Sequence, residues 1–79
     1  MTTIIVNGEP RVARPAETVA DLIAERLGVR VATDGTLPRG VTLGIAVAVN
    51  AVVVPRAGWD AEEFADGDVV EVVSATQGG

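Results

Sequence analysis

Residues 3–28 read TIIVNGEPRVARPAETVADLIAERLG, and this stretch sets the fold class. Thr3-Ile4-Ile5-Val6 is a β-branched run that ends in Asn7-Gly8, the dipeptide that tolerates the positive φ angles of a two-residue hairpin turn. Residues 11–14 then alternate apolar and polar side chains, so the segment reads as a β-hairpin whose second strand is closed by Pro15. Thr18, with Asp21 three positions on, has the spacing of a capping box and puts an acid where it complements the helix dipole, so a helix is predicted to start at Val19. Val19, Leu22, Ile23 and Leu27 recur at three- and four-residue spacing. They predict an apolar helix face about ten residues long, with Asp21, Glu25 and Arg26 turned outward and Gly28 as a left-handed stop.

Downstream of this unit, residues 29–43 carry punctuation without a sustained period: Asp34-Gly35, Pro38 and Arg39-Gly40 mark a loop with room for at most a short strand. Residues 45–49 alternate Ile or Val with Ala, Asn50-Ala51 makes a turn, and residues 52–54 are continuous Val before Pro55. That pair is a second hairpin. Residues 59–64 read as a short acidic turn or helical piece, and Asp66-Gly67-Asp68 is a tight turn into a last strand over residues 69–75. The order is hairpin, helix, loop, hairpin, strand. It fits an α+β fold of the β-grasp (ubiquitin-like) type, a mixed sheet with one main helix on one face and strands 1 and 5 central and parallel. An α+β sandwich with another strand order fits the periodicity equally well.

Composition narrows the function classes. A chain of 79 residues is enough for one modest core, and its 48% hydrophobic content is almost all aliphatic, with Phe64 and Trp59 as the only large aromatics. The net charge is -5, there is no Lys and the six Arg residues are scattered. No basic face is available to follow a phosphate backbone, so nucleic acid is not an expected partner. Absence of Cys and His removes disulfides, thiolate nucleophiles, the usual zinc ligands and the commonest general base. The start of the chain lacks a charged and apolar secretion signal, and residues 41–54 are too short and too interrupted to span a bilayer. A cytoplasmic protein with no membrane partner is expected.

The remaining chemistry lies in the ending Gln77-Gly78-Gly79. With Gly at about 7% of residues, two terminal glycines arise by chance in roughly one chain in two hundred. Without Cβ atoms, two glycines let the main chain thread a narrow channel and present a carboxylate inside another protein. That carboxylate becomes an electrophile only as an acyl adenylate, after which a sulfur nucleophile displaces AMP and leaves a thiocarboxylate. In a chain without Cys, the terminus is the one plausible place to carry sulfur. The plainer reading is a frayed end, the usual fate of terminal glycines.

Three stretches carry a family likeness: Gly44-Ile-Ala-Val-Ala-Val-Asn50 with Val53-Val54-Pro55-Arg56 and Trp59; Ala65-Asp66-Gly67-Asp68-Val-Val-Glu71-Val-Val73; and Gln77-Gly78-Gly79. With Ile5-Val6-Asn7-Gly8 and the Thr18-Val19 helix start, the chain resembles the sulfur-carrier proteins of thiamine biosynthesis, of the ThiS type, over most of its length. The resemblance implies a carrier rather than an enzyme. It implies a β-grasp domain over residues 1–75, a flexible tail over 76–79, Gly79 as the modified residue and Gly78 as its permissive neighbour. It also implies three partners: an E1-like adenylating enzyme using ATP and magnesium, a sulfur-donating enzyme and thiazole synthase. No cofactor or metal bound by the chain itself is expected. Two departures from the family pattern are a longer 30–43 segment and Ala51 at a hairpin position where Gly is common. The related molybdopterin carrier, with a more proline-rich approach to its Gly-Gly, ranks second. A ubiquitin-like modifier that passes Gly79 to a lysine amine, and a plain binding module with a dispensable tail, are the further alternatives.

In the last strand, Glu71 marks its own parity as solvent-facing. Val69 and Val73 should therefore point outward, and Val70 and Val72 toward the helix. Val69 and Val73 with Ala46 and Ala48 of the third strand form an expected apolar patch for the adenylating enzyme, beside Gln77 of the tail; the alternative is ordinary sheet surface. Glu62, Glu63, Asp66 and Asp68 lack calcium-loop spacing and read as a solvated turn rather than a cation site. Asp60, Glu62 and Glu63 have no predicted cleft to make them an acid–base pair. The glycines at 35 and 40 come without a phosphate-loop Lys, so any nucleotide belongs to the partner.

Overall fold

The computed structural model describes residues 1–74. Its elements are β1 (Thr2–Val6), β2 (Glu9–Ala13), α1 (Val19–Leu27), β3 (Ile45–Val49), β4 (Val52–Val54), a 3-10 turn (Arg56–Gly58) and β5 (Val69–Ser74). The strands form one mixed sheet in the order β2-β1-β5-β3-β4. β5 lies between β1, to which it is parallel, and β3, to which it is antiparallel. This is the β-grasp order with strands 1 and 5 together at the centre, so the alternative strand order is set aside.

Each boundary follows from local chemistry. Asn7 and Gly8 both take positive φ, 50° and 86°, so the chain reverses in two residues and Glu9 stands opposite Val6. β2 therefore begins at Glu9, earlier than the alternation from residue 11 suggests. Pro10 is tolerated there because β2 is an edge strand, where a missing N–H costs no ladder bond. At the helix start the capping box is complete: Thr18 Oγ1 accepts from the Asp21 N–H and an Asp21 carboxylate oxygen accepts from the Thr18 N–H. The Thr18 N–H, helped by Arg30 at 3.0 Å and opposed by burial, holds the Asp21 carboxyl below its ordinary range. Gly28, at φ 73°, ends the helix and donates its N–H to the Ala24 carbonyl.

The core is aliphatic apart from Trp59. Ile4, Val6, Val19, Ala20, Leu22, Ile23, Val31, Val47, Val49, Trp59 and Val70 are buried between α1 and one face of the sheet. Full burial of each large side chain contributes about 1.5–3 kcal/mol. Leu27 departs from expectation: it is 46% exposed, and Ala20 is fully buried in its stead. The reason lies in what covers the helix. The Val19 N–H donates to the Glu62 carbonyl and the Ala20 N–H to the Trp59 carbonyl, so residues 59–62 close over the first turn while the last turn has no such cover.

Of the two readings of residues 59–64, the turn is what the fold has, over residues 59–61. The helical turn lies earlier, at Arg56–Gly58, where the Trp59 backbone N–H caps it on the Arg56 carbonyl, while the Trp59 indole N–H donates separately to the Val54 carbonyl at 2.9 Å. Residues 59–62 then lend carbonyls to α1, and the Phe64 N–H donates to Glu17. Segment 30–43 contains no strand, yet it is packed. Val31 is in the core and Leu37 and Leu43 lie against it. Gly35 is fixed against the 3-10 turn, for a Cβ there would sit 2.9 Å from the Ala57 backbone. Arg56 Nε donates to the Gly35 carbonyl at 3.0 Å.

One charge is buried under this layer. Glu17, whose side chain is fully covered, accepts from Arg11 at 2.8 Å, from Arg14 at 3.2 Å and from the Arg14 backbone N–H. Burial alone would push its carboxyl up. The Arg11 hydrogen bond, the Arg14 N–H and the two guanidinium charges outweigh burial and hold it below the ordinary value. Arg11 also reaches Glu25 on the helix, which ties β2 to α1.

Candidate functional site

The side of the sheet opposite α1 is open, and period-two alternation decides what it shows. In β5, Val70 is buried and Val72 is half-buried against the core, whereas Val69, Glu71 and Val73 are exposed. The outward parity read from Glu71 is thus what the fold has. Register then assembles the face. Val73 stands beside Ala46, Glu71 beside Ala48, and Ala48 beside Val53 of β4. Val69 stands beside Ile5 of β1, and Ile5 beside Pro10 of β2.

All four sheet residues singled out in the sequence, Val69, Val73, Ala46 and Ala48, therefore share one face, joined as two rows with Glu71 between the valines. Val73 is 54% exposed and Val53 66%. Ile5, Val53 and Val12, which stands opposite Thr3, extend the apolar area and were not among the expected residues. The signal for them existed. Ile4 and Val6 are core residues, so Ile5 must face the other way, and Val53 inherits the parity of Ala48 once the hairpin register is set by the two-residue turn. Gln77, Gly78 and Gly79 lie outside the described residues.

Two asparagines hold β5 from either side, a role beyond the turn chemistry that their sequence context shows. On the β3 side, the Asn50 N–H donates to the Val69 carbonyl at 2.7 Å, its Oδ1 accepts from the Val69 N–H at 3.0 Å, and its Nδ2 donates to Asp68 Oδ1 at 2.9 Å. On the β1 side, the Asn7 N–H donates to the Val70 carbonyl at 2.9 Å, its Oδ1 accepts from the Val72 N–H at 2.8 Å and its Nδ2 donates to the Val72 carbonyl at 3.2 Å. Both residues have φ near 50°, a conformation Asn tolerates better than most side chains.

The acidic turn is committed to architecture. Asp66 Oδ1 accepts from the Thr3 N–H at 2.8 Å, and Asp68 Oδ2 accepts from the Ala65 N–H at 2.8 Å. Glu63 forms an isolated bridge with Thr18. Among the described residues, no three His, Cys, Asp or Glu side chains converge as a group able to hold a metal ion. No helix among them is long and apolar enough to cross a membrane.

The model of the ThiS family matches residues 4–79. The chain belongs to the ThiS family. Two solved structures from Geobacter metallireducens resemble it. One is the crystal structure of the thiamine biosynthesis protein ThiS, 28% identical, with TM-score 0.67, covering 99% of this chain and 100% of the other. The other is the solution structure of a thiamine biosynthesis protein, 29% identical, with TM-score 0.61, covering 99% of this chain and 88% of the other. No curated protein matches the chain. Membership of the ThiS family supports a sulfur-carrier role, that of a small carrier among sulfur-transfer and thiamine-pathway enzymes.

Proposed function

We propose that this ThiS-family chain carries sulfur as a thiocarboxylate on Gly79 and delivers it for thiazole formation in thiamine biosynthesis. The observation that carries the reading is the family match, which runs to the final Gly78-Gly79. In the proposed reaction a carboxylate oxygen of Gly79 attacks the α-phosphorus of ATP and pyrophosphate leaves. A sulfur nucleophile then adds to the acyl carbon, and AMP leaves as the carbon–oxygen bond to phosphate breaks. With hydrosulfide as nucleophile, one proton is released and the product is the thiocarboxylate. ATP and magnesium belong to an E1-like adenylating enzyme, and the chain acts as its protein cosubstrate. Gly78 gives the backbone freedom to enter that enzyme's channel.

The open face is the proposed docking surface. Val73 stands beside Ala46, Ala48 beside Val53, and Val69 beside Ile5, all on the open face of the sheet. Glu71 and the net charge of -5 favour an apolar ridge bordered by basic residues on the partner. The test is reconstitution with the adenylating enzyme, ATP and a sulfur source, followed by intact-mass analysis. The expected product has one oxygen of the chain replaced by sulfur. Adducts on lysines of other proteins would indicate a modifier instead, and turnover with molybdopterin synthase but not thiazole synthase would move the carrier to that pathway.

A further inference from the structure

The β5 ladder is uneven. On the β3 side, pairing runs from Val49 opposite Val70 to Ile45 opposite Ser74. On the β1 side, backbone register ends at Val6 opposite Val70, because the chain turns away at Asn7-Gly8. Beyond that point the β5 edge would face no strand. The Asn7 side-chain amide fills the next ladder position, accepting from the N–H and donating to the C=O of Val72 as a peptide group would. Asn50 makes its clamp at the other end of the strand, on Val69.

We infer that Asn7 is a positioning residue for loading. It fixes the backbone of β5 at Val72, and so holds the direction in which the strand runs on through Ser74 relative to the face that binds the adenylating enzyme. This rests on the carrier reading above. Docking side chains are untouched when Asn7 changes, so substrate binding should persist while delivery of the acyl end to the reagent loses accuracy. Misplacement of about 1 Å at a reacting group can cost orders of magnitude in rate.

The variant of choice is Asn7→Gly, because Gly keeps the positive φ of the turn and removes only the amide. Asn50→Gly removes the sister clamp at the start of β5 and is the control for general weakening of the strand. Amide hydrogen exchange of the free chain should show the Val72 N–H exchanging about tenfold faster in Asn7→Gly, with Val69 unchanged, and the converse in Asn50→Gly. In the adenylation assay Asn7→Gly should lose about tenfold in kcat with KM within about twofold, and Asn50→Gly should lose far less. Unchanged exchange at Val72, or equal kcat losses in the two variants, overturns the inference. A wild-type chain that the adenylating enzyme does not load would instead count against the carrier reading, and the exchange comparison would still decide the clamp.

Discussion

One sheet carries aliphatic side chains on both faces, and they meet opposite fates. The closed face presents Ile4, Val6, Val47, Val49 and Val70 to α1, and all are buried. The open face presents Ile5, Val12, Val53, Val69 and Val73, and all are exposed. What buries the one set and not the other is the helix, whose position is fixed by the capping box and by the carbonyls of Trp59 and Glu62. Aliphatic side chains beneath a helix hold the fold together, whereas the same side chains without a cover have stability to gain only from a partner.

Substitutions can separate those two roles. The largest effect is expected on the closed face: Leu22→Ala, which empties a fully buried site, should cost about 3 kcal/mol in chemical denaturation. Next is the charged anchor below the helix. Glu17→Gln should cost about 2 kcal/mol by removing the buried carboxylate that Arg11 and Arg14 share, which leaves them the half-exposed Glu25. Because the Glu17 carboxyl is held below its ordinary value of 4.5, its contribution is present in full above that value. It is lost as pH falls through the depressed folded value, so wild type and Glu17→Gln should converge in stability only in acid.

On the open face, Val73→Asp should change stability by less than about 0.5 kcal/mol and slow adenylation about tenfold, read as a rise in KM. Equal losses of stability from Val73→Asp and Leu22→Ala would erase the distinction between the faces. The smallest effect is off both faces, in the β3–β4 turn. Ala51 has φ 69°, a region that disfavours a side chain with Cβ, so Ala51→Gly should raise stability by about 1 kcal/mol without altering loading.

How much of this the sequence discloses depends on the range of the contacts involved. Asn7-Gly8, Thr18 with Asp21, Gly28 and the Asn50-Ala51 turn act within a few residues, and each sits where pattern reading puts it. Glu71 gives the parity of β5, and with it the outward valines, because alternation is also local. Leu27 misleads because its exposure depends on residues 59–62 more than thirty positions away. The packing of segment 30–43 depends on Gly35 meeting Ala57, and the burial of Glu17 on Arg11 from a neighbouring strand. The second role of Asn7 is hidden in the same way, since its partner Val72 is 65 positions distant.

The most direct measurement is the mass of the chain after incubation with an adenylating enzyme, ATP and a sulfur source, beside a chain whose Gly79 carboxylate has been amidated. The account predicts replacement of one oxygen by sulfur at Gly79 in the free-carboxylate chain and no change in the amidated one. Sulfur gained equally by both, or by neither under conditions in which the enzyme consumes ATP with the chain, would contradict it.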